Sequence, residues 1–242
     1  MEESVERLAR EWGFTPTEEL PGGHCSKVYA DATRVLKVPF RGEELESGFV
    51  AALRLGGKSG PKVFESNADT SAILMERLIP GTPLGESLPD DDALEITARF
   101  ARGMWSVETE GSLPLATFVG TEDPLARELL ATTEREVFLH GDLHQFNILR
   151  HSSHWVVIDP KGLVGDPAFE PTAFLRNPLE VIPNLPDPEP LLRHRIGLFA
   201  QKLDLDPWRI CAWSLVDLRS WADEPWHSVV AGLERIEKGY HL

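Results

Sequence analysis

The feature of this sequence that most constrains its fold is a change of pattern near residue 80. Before that point, about five short strand-like runs are separated by Gly and Pro residues and surround one helical pattern at 43–55. These runs are residues 14–20, 27–32, 34–40, 61–66 and 71–78. After that point, helical periodicity dominates. We therefore predict an α+β protein with two lobes, a small β-rich N-terminal lobe and a larger, mainly helical C-terminal lobe.

The same change predicts the domain boundaries. Residues 1–78 are expected to form the N-terminal lobe, which begins with a short amphipathic helix, residues 79–84 a hinge, and residues 85–242 the helical lobe. Helical patterns in this second part cover roughly residues 91–108, 124–134, 167–176, 190–202, 207–222 and 226–238. A β-hairpin is expected to interrupt them, with its turn at 151–154 between the runs FNILR and HWVVID.

The charge and composition exclude some classes of partner. The formal net charge is −15, with 39 acidic and 24 basic residues, whereas binding to nucleic acids depends on neutralising phosphates. No apolar run approaches the roughly 18 residues that a membrane helix needs, and nothing indicates a protein partner. The two cysteines lie in distant segments and favour a reducing, cytoplasmic location. The acidity is explained either by solubility or by an acidic cleft that attracts a cationic small molecule.

The polar residues with the clearest chemical character lie in the stretch FLHGDLHQFNILR, residues 138–150. His140 and His144 have the i, i+4 spacing of two metal ligands on one helix face. However, Gly141 lies between them, and the apolar residues on either side favour a turn between two short strands. A metal site held by these histidines is therefore the weaker interpretation.

The same stretch fits phosphoryl transfer better. That reaction depends on positioning and charge neutralisation, and it needs a carboxylate that orients the acceptor hydroxyl and receives its proton. Asp142 precedes Asn147 by the spacing of the kinase catalytic loop. Asp159 ends the strand VVID on the far side of the hairpin, so Asn147 and Asp159 can face one Mg²⁺ ion.

Together, HGDLHQFNIL and VVIDPKGLVGDPAFEPTAFLRNP resemble the aminoglycoside phosphotransferase family, a small-molecule branch of the protein-kinase-like fold. The IDPKGLVGDP segment and the LRNP tail are most similar to streptomycin 6-phosphotransferases and hydroxyurea kinases. The resemblance implies a protein-kinase-like bilobal fold and phosphorylation of a small-molecule hydroxyl with ATP and Mg²⁺. By motif match, it implies Asp142 as the catalytic base and Asn147 and Asp159 as Mg²⁺ ligands. His140 and Asp166 would be structural partners that hold the catalytic loop.

A kinase-like site also needs a strand lysine that binds the nucleotide phosphates and a helix glutamate that pairs with it. Lys37 in RVLKVPF is the candidate, because the rest of this strand alternates apolar residues. A lysine at a sheet edge, with its charged end in solvent, is the alternative. We assign Glu46 as its partner, on the helix face of the neighbouring apolar residues, with Glu43 and Glu44 as alternatives.

Two further segments are expected to bind the nucleotide. The glycines of PGGHCSKVY, residues 21–29, could cover phosphates with their backbone amides, although a plain hairpin turn would have the same sequence. At the junction of the lobes, the resemblance implies adenine hydrogen bonds to the carbonyl group of Glu76 and the amide group of Leu78. A plain linker is the alternative for this junction.

The acceptor is expected to be a small and cationic molecule. Asp166 follows Asp159 by only seven positions, which leaves no room for the peptide platform of protein kinases. Lys161 in this segment either contacts phosphate or is a surface lysine. The predicted acceptor residues are Glu170, Asp217 and Trp226. They are drawn from the carboxylates and tryptophans after residue 167, which also include Glu180, Asp187, Glu224, Trp213 and Trp221.

Three functions are compatible with these residues. The first is an antibiotic-type phosphotransferase of the streptomycin kind. The second is a kinase of an endogenous metabolite, such as a sugar, a choline-like or a hydroxyurea-like compound. The third is a nucleotide-binding regulator without transferase activity. The intact set of Lys37, Asp142, Asn147 and Asp159 favours an enzyme.

Overall fold

The computed structural model describes residues 3–20, 25–40, 46–220 and 224–240. Within these ranges, five antiparallel strands form the sheet of the N-terminal part, in the order β1-β2-β3-β5-β4. The strands are β1 (Glu18–Leu20), β2 (Ser26–Ala30), β3 (Arg34–Pro39), β4 (Val63–Asn67) and β5 (Ala72–Glu76). Each predicted run therefore overlaps a strand, and the main difference is the late start of β1.

Helix α1 (Glu3–Glu11) covers one face of this sheet. Its apolar residues Val5 and Ala9 pack in one cluster with Leu36 of β3 and Leu74 of β5. These two strands are neighbours in the sheet, so the helix covers the centre of the sheet rather than its edge. The amphipathic pattern at the start of the chain thus forms the predicted helix, with its apolar side buried.

Helix α2 (Glu46–Leu55) connects the sheet to the helical part. Ala51 and Leu55 belong to the large apolar cluster of the helical part. At the start of the helix, the hydroxyl of Ser47 donates a hydrogen bond of 2.8 Å to the carbonyl oxygen of Lys161. Helix α2 is therefore attached to the segment that follows Asp159, which is one of the predicted site residues.

The C-terminal part is mainly helical and contains most of the apolar core. Its helices are α3 (Leu84–Ser87), α4 (Asp90–Met104), α5 (Leu115–Val119), α6 (Pro124–Ala131), α7 (Thr172–Arg176), α8 (Glu189–Leu203), α9 (Pro207–Arg219) and α10 (His227–Gly239), with 3₁₀ turns at Pro167–Phe169, Ile182–Asn184 and Glu224–Trp226. The helix predicted at 167–176 is split into a 3₁₀ turn and α7. Pro171 stands at the break, where its ring and missing amide prevent a continuous helix.

Two small sheets, each of three strands in the described ranges, hold the loops near the junction. One contains β6 (Pro80–Pro83), β9 (Ile148–His151) and β10 (His154–Val157), and the other contains β7 (Leu113–Pro114), β8 (Val137–Leu139) and β11 (Leu163–Gly165). Because β6 pairs with β9, the segment predicted as a hinge is itself bonded to the predicted catalytic hairpin. No helix in the described part of the chain has the length and apolar character needed to cross a bilayer.

Candidate active site

The loop that carries Asp142 and Asn147 connects β8 to β9. Phe138 and Leu139 at the end of β8 and Ile148 at the start of β9 are fully buried, so both ends of the loop are anchored in the core. Within the loop, the side-chain amide of Asn147 donates a hydrogen bond of 2.9 Å to the backbone oxygen of Asp142. The two polar residues singled out by their spacing are therefore bonded to each other across the loop.

His140 supports this loop from beneath as a neutral imidazole. Its Nδ1 accepts a hydrogen bond of 3.3 Å from the amide of Asp142, and its Nε2 lies 3.0 Å from the carbonyl oxygen of Ile158. Complete burial lowers the pKa of His140 to about 4, against the opposing effect of the Asp142 carboxylate. The neutral ring donates from Nε2 and thereby joins the loop to the strand that leads into Asp159.

His144 has a similar local function and does not complete a metal site. Its Nδ1 accepts a hydrogen bond from the amide of Phe146 at 3.2 Å, and burial lowers its pKa to about 4. Over the described ranges, no group of three or more His, Cys, Asp or Glu side chains is arranged to hold a metal ion. The geometry of both histidines is that of residues that stabilise a turn.

Glu170 was predicted to contact the acceptor, but the structure gives it a different position. Its side chain is buried, and its two carboxyl oxygens accept hydrogen bonds from the backbone amides of His140 at 2.8 Å and Gly141 at 3.0 Å. Burial raises the pKa of Glu170 to about 7, although both amide bonds act in the opposite direction. Glu170 therefore holds the loop between β8 and β9 from inside the core, and it does not line the second pocket described below.

Asp166 is a structural residue, but its contacts differ from the prediction. One carboxyl oxygen accepts a hydrogen bond from the amide of Ala168 at 2.9 Å and caps the 3₁₀ turn. The other accepts 2.9 Å hydrogen bonds from the indole of Trp213 and from Nε of Arg209, which also pairs with it through Nη2. Asp166 thus joins the 3₁₀ turn to α9, and the loop itself is held by His140 and Glu170.

Lys37 and Asp159 meet where the two parts of the molecule face each other. The Nζ atom of Lys37 lies 3.1 Å from Oδ1 of Asp159. Asp159 has a positive φ of 59°, a conformation that is costly for residues other than glycine and is enriched at functional sites. The residue before it, Ile158, donates its amide to the carbonyl oxygen of Asn147 at 2.9 Å, so Asn147 and Asp159 stand beside each other.

A cleft of about 1130 Å³ opens between the sheet and the helical part. Lys37 and Asp159 lie in its wall, together with the predicted junction residues Glu76 and Leu78. Apolar residues complete the cleft on both sides, among them Val28, Val35, Met75, Leu149 and Ile158. Its combination of apolar walls and a charged end is suited to a ligand with a flat base and an anionic tail.

The remaining predicted nucleotide contacts lie near the ends of the described ranges. Glu46 is the first residue of α2 and is exposed, and the Lys37 ammonium pairs with the Asp159 carboxylate. Its alternatives Glu43 and Glu44 fall outside the described residues, as does the first half of the glycine-containing segment, residues 21–24. The pairing of Lys37 with a glutamate therefore stays a prediction.

A second pocket, of about 1010 Å³, has Asp142 in its wall and is the candidate acceptor pocket. Asp217, one of the predicted acceptor residues, and Lys161 lie in its wall. Its apolar side is formed by Phe118, Val119, Leu179 and Val216. An acceptor bound in this pocket could therefore place a hydroxyl group next to Asp142.

Arg176 is the site residue that the sequence patterns did not reveal. Its guanidinium bridges two carboxylates in the acceptor pocket, with Nη2 at 2.6 Å from Oδ1 of Asp142 and Nη1 at 3.0 Å from Oδ2 of Asp217. Burial raises the pKa of Asp217, and Arg176 opposes this effect. The sequence shows one charged residue, an arginine in the LRNP tail, at the end of a mostly apolar helix, and this pattern does not identify its partners.

Trp226 was also predicted to contact the acceptor, and the structure places it elsewhere. It is 7% exposed and belongs to the apolar core, as does the fully buried Trp213. Neither tryptophan lines the candidate acceptor pocket. Trp221 and the side chain of Glu224 lie outside the described residues. The tryptophans of known placement in this region thus build the core rather than the pocket.

This arrangement defines a protein-kinase-like fold, with Lys37 on a sheet strand facing Asp159 and with Asp142 and Asn147 on a loop of the helical lobe. Solved structures agree. A choline kinase, LicA from Streptococcus pneumoniae, superimposes with a TM-score of 0.61 over 96% of this chain and 98% of its own, at 12% identity. The aminoglycoside phosphotransferase APH(3'')-Id from Streptomyces rimosus, in complex with ADP and streptomycin, gives 0.61 over 90% and 98%, at 16% identity.

Sequence comparisons indicate the same kind of enzyme. Residues 119–222 match the family described as aminoglycoside/hydroxyurea antibiotic resistance kinase. A streptomycin 6-kinase from Streptomyces griseus is 28% identical over 243 residues, which cover 88% of this chain and 79% of that protein. A streptomycin 3''-kinase from Klebsiella pneumoniae is 29% identical over 233 residues, which cover 84% and 85%. These matches support a relationship to the aminoglycoside phosphotransferases, and this chain is a small-molecule kinase. The predicted resemblance, fold class and enzyme type are confirmed.

Proposed function

We propose that this protein transfers the γ-phosphoryl group of ATP to a hydroxyl group of a small cationic molecule of the aminoglycoside type, with streptomycin-like compounds as the first candidates. The observation that carries the proposal is the position of Asp142. It lines the acceptor pocket, and Asn147 connects it to the strand that ends in Asp159 at the nucleotide cleft. One loop therefore serves both clefts.

ATP is assigned to the cleft that contains Lys37, Glu76 and Leu78. The Lys37 ammonium would bind phosphate oxygens, and the backbone groups of Glu76 and Leu78 would bind the adenine edge. The side chains of Asn147 and Asp159 fit Mg²⁺, because both offer oxygen ligands. The amide nitrogen of Asn147 is already bonded to Asp142. Mg²⁺ held there would supply positive charge that offsets the charge of the phosphate oxygens.

Asp142 would act as the base of the transfer. Its carboxylate accepts the proton of the acceptor hydroxyl while the hydroxyl oxygen forms a bond to the γ-phosphorus. The bond between the γ-phosphorus and the β,γ-bridging oxygen breaks, and ADP leaves with that electron pair. The proton then passes from Asp142 to solvent. Neutral His140 and buried Glu170 keep the loop in place during this exchange.

The aminoglycoside assignment draws on the streptomycin kinases among the relatives, on the net charge of −15 and on Asp217 in the acceptor pocket. A kinase of an endogenous metabolite is the second candidate, and one observation favours it. Among the described residues of the pocket, Lys161 and Arg176 balance Asp142 and Asp217 in formal charge. Such a pocket also suits an acceptor with few charges. Both described cysteines are free, which fits the proposed cytoplasmic location.

A panel of acceptors tests these candidates. ADP formation would be followed with ATP, Mg²⁺ and, in turn, streptomycin, other aminoglycosides, choline, a sugar and hydroxyurea, and the product would be identified by ³¹P NMR. Turnover with streptomycin supports the first proposal, and turnover confined to choline, the sugar or hydroxyurea supports the second. Nucleotide binding without ADP formation on any acceptor would indicate a regulator.

The variant Asp142→Asn tests the assigned base. We expect turnover to fall by about 10²- to 10⁴-fold, since a positioned base contributes that much, while nucleotide binding is retained. Asp187→Asn is a matched control, because Asp187 is exposed and lies outside the described lining of the acceptor pocket. Wild-type turnover in Asp142→Asn would contradict the mechanism.

A further inference from the structure

We propose that Arg176 is a positioning residue, which holds the carboxylate of Asp142 in its working orientation and anchors it to Asp217 across the acceptor pocket. This inference rests on the proposed role of Asp142 as the base of the reaction. It adds Arg176 to Asp142 and Asp217 in the candidate acceptor pocket, and Asp217 then serves to hold Arg176 in place.

The geometry of the bridge supports this role. Nη2 of Arg176 lies 2.6 Å from Oδ1 of Asp142, and Nη1 lies 3.0 Å from Oδ2 of Asp217. The side chains of Arg176 and Asp217 are only 10% and 11% exposed, so little water competes for these bonds. A guanidinium is planar and rigid, and it therefore sets the direction of both bonds at once. The Asp142 carboxylate is thereby restricted to the orientation in which it can bond to this guanidinium.

The backbone around Arg176 is itself held in place. Arg176 is the last residue of α7, and the carbonyl groups at this end of the helix are capped by another arginine. Nη1 of Arg195 donates to the carbonyl oxygens of Phe174 at 3.0 Å and Asn177 at 2.8 Å. Asp90 holds Arg195 from the other side with two bonds, of 2.9 and 2.7 Å. The end of α7 is thereby fixed to α4 and α8.

A second link joins this helix end directly to the catalytic loop. The side-chain amide of Gln145, which is buried, donates a hydrogen bond of 3.0 Å to the carbonyl oxygen of Asn177. The loop and the end of α7 are thus bonded at two points, through Gln145 to Asn177 and through Asp142 to Arg176. Such a double attachment keeps the distance between Arg176 and Asp142 constant while an acceptor enters and leaves.

The bridge leaves a defined place for the acceptor hydroxyl. Arg176 occupies Oδ1 of Asp142, and Oδ2 has a long contact of 3.5 Å with the side-chain amide of Asn147. Oδ2 is therefore the oxygen that takes the hydroxyl proton. Because Arg176 acts on the orientation of the base, its loss should lower kcat and leave the KM of the acceptor nearly unchanged.

Two substitutions of Arg176 distinguish an effect of its directed hydrogen bonds from an effect of its positive charge alone. Arg176→Lys keeps the positive charge but cannot form two directed bonds, and we expect kcat to fall about 10- to 100-fold with acceptor KM changed by less than about 3-fold. Arg176→Ala should lose more, and added guanidinium should restore part of its kcat, whereas methylammonium should restore less. Arg193→Lys is the matched control, because this helical arginine pairs with Glu189 in solvent, half-exposed, and its kinetics should not change.

The role of Asp217 is tested with a double variant. If Asp217 acts through Arg176, Asp217→Asn lowers kcat in the wild type and adds little to the loss in Arg176→Ala. Thermal unfolding and nucleotide binding of each variant show whether the fold is kept. If Arg176→Ala does not fold, Arg176→Lys and Asp217→Asn still decide the outcome.

The possible failures are distinguishable. Unchanged kinetics in the Arg176 variants, or a higher acceptor KM with unchanged kcat, would overturn the positioning role while an inactive Asp142→Asn leaves the proposed function intact. Full activity of Asp142→Asn would overturn the proposed function and this inference with it. Equal rescue by methylammonium and guanidinium would show that charge alone matters, and would also overturn the inference.

Discussion

Lys37 and Asp159 are 122 positions apart in the sequence and lie 3.1 Å apart, nitrogen to oxygen. The lysine comes from the centre of the sheet and the aspartate follows the β9–β10 hairpin, so this ion pair joins the two parts of the molecule at the proposed nucleotide cleft. The Lys37 side chain is 13% exposed and that of Asp159 39% exposed. The pair is therefore accessible enough for an anionic ligand to compete for the lysine.

Replacing Lys37 should impair the use of nucleotide. In Lys37→Met the positive charge is lost and the apolar stem is kept, so we expect kcat/KM for ATP to fall about 100-fold or more. Steady-state kinetics with varied ATP, together with titration of nucleotide binding, would measure this effect. Lys202→Met is a suitable control, because Lys202 pairs with Glu95 on the helical surface. Similar losses in both variants would argue against a phosphate-binding role for Lys37.

Removing the acidic group of Glu170 should destabilise the catalytic loop. Its two oxygens accept the amides of His140 and Gly141, and a glutamine offers only one oxygen, with an NH₂ group opposite the other amide. At pH 5, Glu170→Gln should lower the free energy of unfolding by about 1–3 kcal/mol. Chemical denaturation would measure it. The exposed Glu180→Gln should leave stability unchanged, and an equally stable Glu170→Gln would show that these bonds contribute little.

The wild type and Glu170→Gln should also differ in how their free energy of unfolding depends on pH. Burial raises the pKa of Glu170 from 4.5 to about 7, so the folded protein binds this proton more tightly than the unfolded chain. The stability from this group is fully present below pH 4.5 and is lost as the pH rises through 7. The stability advantage of the wild type over Glu170→Gln should therefore shrink by about 3 kcal/mol between pH 4.5 and 8. A constant difference across that range would contradict the raised pKa.

Gly162 should tolerate no side chain. It has a positive φ of 68°, and a Cβ atom there would lie 2.3 Å from the carbonyl oxygen of Ser47 in α2. Gly162→Ala should therefore destabilise the protein by about 3 kcal/mol and disturb nucleotide binding, because α2 would have to move. Gly197→Ala in α8 is the control. A Cβ meets nothing within 4 Å there, and alanine should stabilise the helix by up to about 1 kcal/mol. Thermal unfolding of both variants measures the contrast.

The catalytic loop shows what local pattern can predict. Asp142 and Asn147 are five positions apart, and a short hairpin brings Asp159 next to Asn147. Such relationships depend on turn geometry and strand register, which short sequence spacings determine. The five strands of the N-terminal sheet and the longer helices of the second half followed from periodicity for the same reason, whereas the short helices α3 and α5 were not predicted.

The errors concern residues whose role depends on burial. Glu170 and Trp226 were predicted to contact the acceptor, because acids and aromatic residues after the catalytic hairpin are reasonable pocket residues. The structure instead places both in the interior, where Glu170 binds two loop amides and Trp226 packs in the core. A carboxylate or an indole has the same local sequence signal in either place. Whether such a side chain lines a pocket or lies in the core depends on how helices that are distant in the sequence pack together.

The sequence by itself predicted the α+β fold class, the kinase type of chemistry and the proposed site residues Lys37, Asp142, Asn147 and Asp159, from periodicity, short spacings and the resemblance of its motifs. Only the tertiary structure decided what surrounds the base: Glu170 beneath its loop and Arg176 bonded to its carboxylate, 34 residues away in the chain. These contacts form because α7 returns to the catalytic loop, capped by Arg195 and bonded to Gln145. Where a buried polar group finds its partner depends on how helices pack, and no local pattern contains that information.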